Sequence, residues 1–252
     1  MICGLLAGLC GGLVAAGFGK LTGEPAIDEA IAYEERHEGA PGRSDLPAGH
    51  QDEPLVSRGV QSGAGLFTAS LILGLSMGGL FALAFALLYG RVGRVSPATT
   101  ALWLAGAAFL VLFLVPFLKY PANPPAVGDP EKINERTLVF LTMVAISVLA
   151  AVAALRVRAG LLGRATSATA TLAGLGLYGA LVLGAGIAMP TVDEVPPDFP
   201  ATTLWDFRIA SLVMQLVLWG VLGGIFAATA RRVMAGRPIF TIRKSTREME
   251  ST

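Results

Sequence analysis

The chain alternates long apolar runs with short polar segments. Six runs are almost free of Asp, Glu, Lys and Arg, and each holds the roughly 20 apolar residues that cross a bilayer as a helix. We predict membrane spans at 1–19, 63–90, 97–118, 137–156, 168–189 and 208–230. The runs lack the alternating pattern of an outer-membrane barrel strand. The pattern therefore predicts an all-α, polytopic helical membrane protein with five to six spans.

The six runs belong to one transmembrane domain, residues 1–235, in this interpretation. The first run is ambiguous, because its length and the small residues near Ala15 and Gly17 also suit a secretory signal. No Lys or Arg precedes this run, as a signal normally requires. We therefore expect a membrane span at 1–19, with a cleaved signal as the alternative.

Composition agrees with a membrane protein and excludes several enzyme classes. Hydrophobic residues make up 54% and charged residues 15% of the chain, against about 45–50% and about 25% in soluble domains. The sequence has no Gly-rich phosphate loop with Lys-Ser/Thr and no His-Glu-x-x-His motif. We expect no enzymatic activity, no permanently bound cofactor and no nucleic-acid partner.

The distribution of Lys and Arg predicts the orientation of the spans. One side of the predicted bundle carries 11 of the 19 basic residues in short segments, and the other carries 8 that are diluted among carboxylates. The more basic side is expected to be cytoplasmic. It includes the tail 236–252, which we predict to be a basic, disordered cytoplasmic segment of a bacterial inner-membrane protein. Its cations also suit anionic membrane lipid.

The opposite, external side is acidic and rich in proline. The segment 20–60 is predicted to be an acidic loop with a short amphipathic helix that begins near Pro25. We place Ile27 and Ile31 on its apolar stripe. Both histidines, His37 and His50, lie in this loop without a recognisable ligand spacing, so we interpret them as solvated.

Two further external loops combine proline with acidic residues. The segment 119–125 reads KYPANPP, and the segment 192–208 reads VDEVPPDFPATTLWDFR. Proline fixes φ and disfavours helix at the preceding residue, so these loops are expected to be stiff and extended. Lys119 and Tyr120 are expected to anchor the third span at the headgroups.

Carboxylates on the external side are the candidate metal ligands. Met189, Asp193 and Glu194 leave the fifth span within one short turn, and Asp198 follows a proline pair. Carboxylates and thioethers are among the ligands that divalent first-row cations accept. Two more acids of the first loop share a helix face at a spacing of four, namely Glu24 and Asp28. The alternative is that all of these residues are solvated or cap helices.

Polar residues inside the spans are sparse. If an ion path crosses the bundle, its likeliest lining is Met77, Met143, Met214 and Gln215; ordinary packing is the alternative. Small residues recur every fourth position at Gly4-Gly8-Gly12, Ser70-Gly74-Gly78-Ala82 and Gly220-Gly224. Such repeats let helices approach closely in lipid. Spans 1, 2 and 6 are therefore predicted to form the tight centre.

Several separated segments together resemble one known family. They are GEPAIDEAIAYEE, VSRGVQSGAGL, KYPANPP, VDEVPPDFPATTLWDFR and ASLVMQLVLWGVLG. The chain resembles the CbtA family of probable cobalt transporter subunits over roughly residues 1–235. The resemblance implies a membrane subunit that imports cobalt for cobalamin synthesis with a small single-span partner, CbtB, which carries a histidine-rich segment. The family is generally described with about five spans.

Our interpretation is an inner-membrane subunit for uptake of a divalent cation, with Co²⁺ as the transported ion. A homo-oligomer is compatible with it. The alternative is a membrane-embedded scaffold or assembly protein whose rigid outer loops dock a partner without carrying an ion. The lack of buried charged ligands favours the scaffold, whereas the acidic outer loops and the resemblance favour transport.

The charge asymmetry makes the orientation testable. Because 11 of the 19 Lys and Arg residues fall on the side of the tail, we expect a cytoplasmic C-terminus. A phosphatase reporter that is active only in the periplasm should be inactive when fused after Thr252. The same reporter in the 20–60 loop is the positive control. Strong activity of the C-terminal fusion would reverse the predicted orientation.

Overall fold

The computed structural model of the chain describes residues 1–38, 60–91, 93, 95–125, 127–128 and 132–238. The regular elements in these ranges are helices: α1 (Ile2–Thr22), α2 (Glu24–Glu38), α3 (Leu66–Leu88), α4 (Pro97–Lys119), α5 (Ile133–Leu161), α6 (Ser167–Ala188) and α7 (Ala201–Met234). The predictions for His50 and for residues 239–252 of the tail lie outside the described residues.

Six of these helices are long and apolar enough to cross a membrane, namely all except α2. The predicted all-α, multi-pass fold is confirmed. α5 and α7 contain 29 and 34 residues and extend beyond the predicted runs at both ends. A helix of 34 residues measures about 51 Å, whereas the hydrocarbon core is about 30 Å thick. α7 is therefore long enough to project from the bilayer.

The membrane helices pack in the spatial order α3, α1, α7, α4, α5, α6. α1 lies between α3 and α7, and its buried residues are all Gly or Ala. α1 thus has a packed helix on each of two sides. α6 lies at the end of the row and packs mainly on α5.

The α1–α3 contact is made by glycine backbones. A Cβ atom added to Gly4, Gly8 or Gly12 would lie closer than 3 Å to a carbonyl oxygen of α3, a distance that real Cβ atoms essentially never show. The oxygens belong, in order, to Gly78, Gly74 and Ser70. The predicted small-residue packing of the first two spans is confirmed, because only hydrogen atoms fit between these backbones.

α7 joins the centre by a different surface from the one predicted. Cβ atoms added to Gly220 and Gly224 would meet nothing within 4 Å, so their predicted packing role is wrong. Instead, Leu218 and Leu222 of α7 pack beside Gly11, and Gly223 approaches Ala105 of α4. The i, i+4 glycine spacing does not show which face of a helix meets its neighbours.

Aromatic rings fill the wider part of the centre, between α3 and α7. The Phe226 ring makes edge contacts with Phe81 and Phe85, at centroid distances of 5.0 and 4.9 Å. Trp219 is also buried there. Edge-to-face pairs of this kind are favourable beyond the apolar area that they bury. They fill the space where α3 and α7 lie too far apart for backbone contact.

Hydrogen bonds join α5 to α6 at the edge of the bundle. The hydroxyls of Ser147 and Tyr178 are 2.9 Å apart, and Arg158 Nε donates to Thr171 Oγ1 over 3.1 Å. Gly174 lies against the Ala154 carbonyl. Hydrogen bonds between helices add to association in lipid, where apolar burial does not drive it.

α4 contains a π-helical segment, Phe109–Leu114, just before Pro116. A proline within a helix removes one backbone N–H and clashes with the preceding turn. The chain responds by widening that turn, and the Val115 N–H bonds to the Leu110 oxygen five residues earlier. Phe109, Phe113 and Phe117 then form a line of neighbouring rings, with centroids 6.0 and 5.2 Å apart.

The glycine contact predicts a sharp difference between two substitutions in α1. Gly8→Ala should lower stability by about 1–3 kcal/mol, because the added methyl overpacks the α3 backbone. Gly17→Ala is the matched control, since nothing lies within 4 Å of its added Cβ. It should be neutral or stabilising by about 0.5–1 kcal/mol. Thermal unfolding in detergent measures both; equal stability of the two variants would contradict this packing.

Candidate functional site

Three connections meet at one end of the bundle and form what we call the cap. They are α2, residues 120–128 after α4, and residues 189–200 after α6. All three follow helices that run in the same direction, so the chain returns each time to the same end. This is the end that the charge pattern predicts to be external. The cap brings together residues that are far apart in sequence.

The cap has a small apolar core of its own. Ala30 and Tyr33 of α2 pack with Val127 and Phe199, one from each of the other connections. The Tyr33 and Phe199 rings meet edge to face at 4.9 Å. The buried stripe of α2 therefore consists of Ala and Tyr, whereas the predicted Ile stripe is only half-buried. α2 packs against α1 and α7.

The KYPANPP segment holds its shape through buried contacts. The Tyr120 hydroxyl donates to the Pro190 carbonyl over 2.7 Å and so ties the two proline-rich connections together. Burial raises the pKa of Tyr120 above its ordinary value. Pro124 is fully buried. Lys119 lies over the Tyr120 ring, 5.7 Å from its centroid.

Arg208 of α7 binds the same segment. Its Nε donates to the Ala122 carbonyl over 3.2 Å, and its Nη2 donates to Asn123 Oδ1 over 2.9 Å. Both acceptors are neutral. The guanidinium therefore positions the connection after α4 against α7, and its charge is not neutralised by these contacts.

A partly buried ion pair, in which the Arg136 side chain is 37% exposed, ties α5 to the connection after α6. Arg136 Nη1 donates to Glu194 Oε2 over 3.0 Å, and the Glu194 side chain is only 2% exposed. Glu194 Oε1 is also buried and has no hydrogen-bond partner among the described residues. Gly128 covers the pair with φ of +128°. An added Cβ there would lie 2.9 Å from Glu194 Oε2, so both conformation and space require glycine.

Two hollows lie on either side of this ion pair. The larger, which we call the arginine cleft, has a volume of about 410 Å³ and lies between the cap ends of α4, α5 and α7. The smaller, of about 170 Å³, lies above it among Lys132, Glu135 and Glu194. Arg136 and Asp193 border both hollows.

The structure gives the four predicted ligands after α6 different surroundings. Asp193 is exposed at the edge of both hollows, whereas Glu194 is buried in the ion pair. Met189 is half-buried where α6 ends. Asp198 accepts a hydrogen bond from Tyr33. Burial raises the pKa of Tyr33, and the bond and the charge of Asp198 raise it further.

The two predicted ligands on α2 lie apart from this group. Glu24 is 3.9 Å from Lys20, and Asp28 is exposed on the helix. Among the residues that the structure describes, no group of three or more His, Cys, Asp or Glu is arranged to hold a metal ion. The predicted ligands therefore do not converge on one complete coordination site within the described part of this chain.

The predicted path residues fall in two regions of the bundle. Met77 and Met214 pack against the central cluster of α1, α3, α4 and α7, and Gln215 is half-buried on α7. Met143 is 2% exposed and borders a hollow of about 260 Å³ between α4, α5 and α6. Met143 therefore lies in a different part of the bundle from Met77 and Met214.

Sequence reasoning missed the residues that organise the cap, above all Tyr33, Asn123, Arg136 and Arg208. The two arginines had a visible signal, because each stands immediately before a long uncharged run. Arg208 stands at a helix end, where a cation commonly snorkels to the headgroups, and the structure shows that it binds the connection after α4.

Comparison with protein families matches residues 1–231 to a family described as "Probable cobalt transporter subunit (CbtA)". Comparisons with curated proteins and with solved structures found no match. The matched range includes all six membrane-length helices almost to the end of α7, as well as the whole cap. The chain therefore belongs to the CbtA family of probable cobalt transporter subunits.

Proposed function

We propose that this chain is the inner-membrane subunit of an uptake system that brings a divalent cation, Co²⁺, into the cell for cobalamin synthesis. The observation that carries the proposal is the family match, which extends over both the bundle and the cap. The family is one of transporter subunits and not of enzymes. The proposed orientation places the cap outside and the C-terminus in the cytoplasm, as the distribution of basic residues predicts.

Asp193 and Glu194 are the proposed first contact for the ion. Asp193 is exposed beside the hollows, and one carboxylate oxygen of Glu194 has no hydrogen-bond partner within the described ranges. Co²⁺ accepts such oxygen ligands. Met189, Asp198, Glu24 and Asp28 remain secondary candidates. Asp198 and Glu24 already contact Tyr33 and Lys20, so recruiting them requires those contacts to change.

A partner is proposed to complete the coordination. Two carboxylates are fewer ligands than a divalent first-row cation normally takes, and the described residues contain no larger cluster. The cap presents a defined shape for docking, because its three connections share a buried core and several hydrogen bonds. A small single-span CbtB-like subunit with a histidine-rich segment fits this role. Met77, Met143, Met214 and Gln215 remain the proposed contacts inside the bundle.

The second candidate function is a membrane scaffold that docks a partner and moves no ion. The absence of a three-ligand group among the described residues favours it. Co²⁺ uptake into proteoliposomes, with and without the small partner, separates the two functions. If this chain transports the ion, Co²⁺ uptake should require its presence in the proteoliposomes. If the chain is only a scaffold, proteoliposomes that contain the inserted partner alone should take up Co²⁺ equally well.

The structure shows which substitution best tests ion capture by Asp193 and Glu194. Asp193→Asn combined with Glu194→Gln also breaks the ion pair with Arg136, so Asp193→Asn alone is the cleaner variant. It should raise the half-saturating Co²⁺ concentration by about three- to tenfold, a loss of roughly 1 kcal/mol in binding. Maximal uptake should change less, because capture limits uptake only at low supply.

Asp206→Asn is the control for this substitution. Asp206 is an exposed carboxylate of α7 that borders a different hollow, so its loss changes the net charge equally without touching the proposed ligands. Both variants should be present in the membrane at normal abundance. A shift of the same size in the two variants, or no shift in Asp193→Asn, would contradict capture by this carboxylate.

The stiff segment gives a further prediction. Pro125 is exposed whereas Pro124 is fully buried, so Pro125→Gly loosens the backbone without removing packed atoms. We expect lower Co²⁺ uptake with near-normal abundance and a loss of roughly 0.4–1 kcal/mol in stability. Pro124→Gly should additionally reduce abundance. If Pro125→Gly lowers the abundance of the protein and the uptake of Co²⁺ in the same proportion, the segment has only a structural role.

A further inference from the structure

The arginine cleft has two chemically different parts. Its inner wall is apolar and contains the rings of Phe113, Phe117 and Phe140. Its cap end contains Arg136 and Arg208. An apolar wall beneath cationic donors fits a ligand that joins a hydrocarbon chain to an anionic group.

Arg208 is a half-buried cation with no carboxylate partner in the described structure. Its two hydrogen bonds go to neutral oxygens, and its Nη1 has no described acceptor. Asp193 borders the same cleft but forms no ion pair with either arginine. Arg136 is already paired with Glu194. Burial of an unpaired charge is costly, so the free guanidinium edge favours an anion in the cleft.

The position of the arginines matches the level of lipid headgroups. Arg136 lies one turn into α5 and Arg208 two turns into α7, and an uncharged run begins immediately after each of them. Such positions mark the boundary between headgroups and hydrocarbon. From this level the rings of Phe117, Phe113 and Phe109 continue along α4 into the membrane. Leu141, at the cleft edge, is 56% exposed, so the cleft opens at the side of the bundle.

We propose that the arginine cleft binds one anionic phospholipid, with its phosphate at the free edge of Arg208 and an acyl chain along the phenylalanines of α4. Arg208 selects an anionic over a zwitterionic headgroup, because its charge has no carboxylate partner among the described residues, whereas Arg136 is paired with Glu194. The aromatic wall selects a lipid over a free phosphate. Asp193, the proposed capture residue, borders the same cleft. The phosphate site itself is assigned to Arg208, which couples the cap segment 120–123 to the surrounding membrane.

Lipid preference of the full-length wild-type chain is the first test. Delipidated protein in detergent is mixed with phosphatidylglycerol or phosphatidylcholine of the same acyl chains, and bound lipid is counted by native mass spectrometry. We expect one retained phosphatidylglycerol, with affinity about tenfold above that of phosphatidylcholine, and a rise in the unfolding temperature. Equal retention of the two lipids would overturn the proposal. This comparison needs no variant.

Arg208→Gln tests the assigned residue. Loss of a charge-assisted hydrogen bond should lower the phosphatidylglycerol affinity by about tenfold. Arg36→Gln is the matched control, since Arg36 is an exposed cap arginine outside the cleft and its loss changes the net charge equally. If both variants bind phosphatidylglycerol like the wild type, or lose it equally, Arg208 does not hold the headgroup.

A competition experiment tests whether the bound phosphate belongs to a lipid or to a water-soluble compound. Inorganic phosphate and glycerol 3-phosphate, added at the same concentration as the lipid, should not displace it, because neither contacts the aromatic wall. Displacement by either compound would identify a water-soluble anion site and overturn the lipid assignment. Displacement by an acidic peptide would identify a protein partner as the occupant and would likewise overturn the lipid assignment.

Discussion

The close approach of α1 and α3 is the contact on which the rest of the bundle depends. In lipid, apolar side chains gain little by leaving one hydrocarbon surface for another, so helices associate through dense packing and hydrogen bonds. The glycines of α1 let its backbone lie directly against that of α3. Because α1 also contacts α7, this one helix sets the spacing between α3 and α7. The aromatic cluster around Phe226 then fills what the backbones leave open.

The cap follows from the position of these helices. α2 can reach the other two connections because α1 lies next to α7, and Tyr33 then meets Phe199. The described polar contacts of the cap join a helix to a connection, as Arg136 to Glu194 and Arg208 to Asn123, or join two connections, as Tyr120 to Pro190. The Glu194 side chain is buried in its ion pair, and removing the partner of a buried charge is costly. The pair therefore favours one arrangement of α5 against the connection after α6.

The chemistry of this protein lies at the boundary of the membrane and not in its middle. The bundle interior is filled by small residues and rings, whereas charged side chains meet in the cap beside two hollows. This arrangement suits a transporter subunit in which the cap and the membrane helices have different roles. In the proposed function, the cap collects an ion and a partner, and the membrane helices hold the cap at a defined depth. The arginines at the headgroup level link these two parts.

The sequence alone limited the number of spans to five or six, because the thickness of the bilayer requires about 20 apolar residues in each. Small residues every fourth position also predicted the close packing of α1 with α3, although the same spacing in α7 marked no contact. The stiffness of the proline-rich connections stays a prediction. Only the tertiary structure shows that Gly223, and not Gly220, contacts a neighbouring helix. It alone also shows that Glu194 forms an ion pair with Arg136, 58 positions away in the sequence. Such pairings depend on which helices are adjacent, and hydropathy carries no information about adjacency.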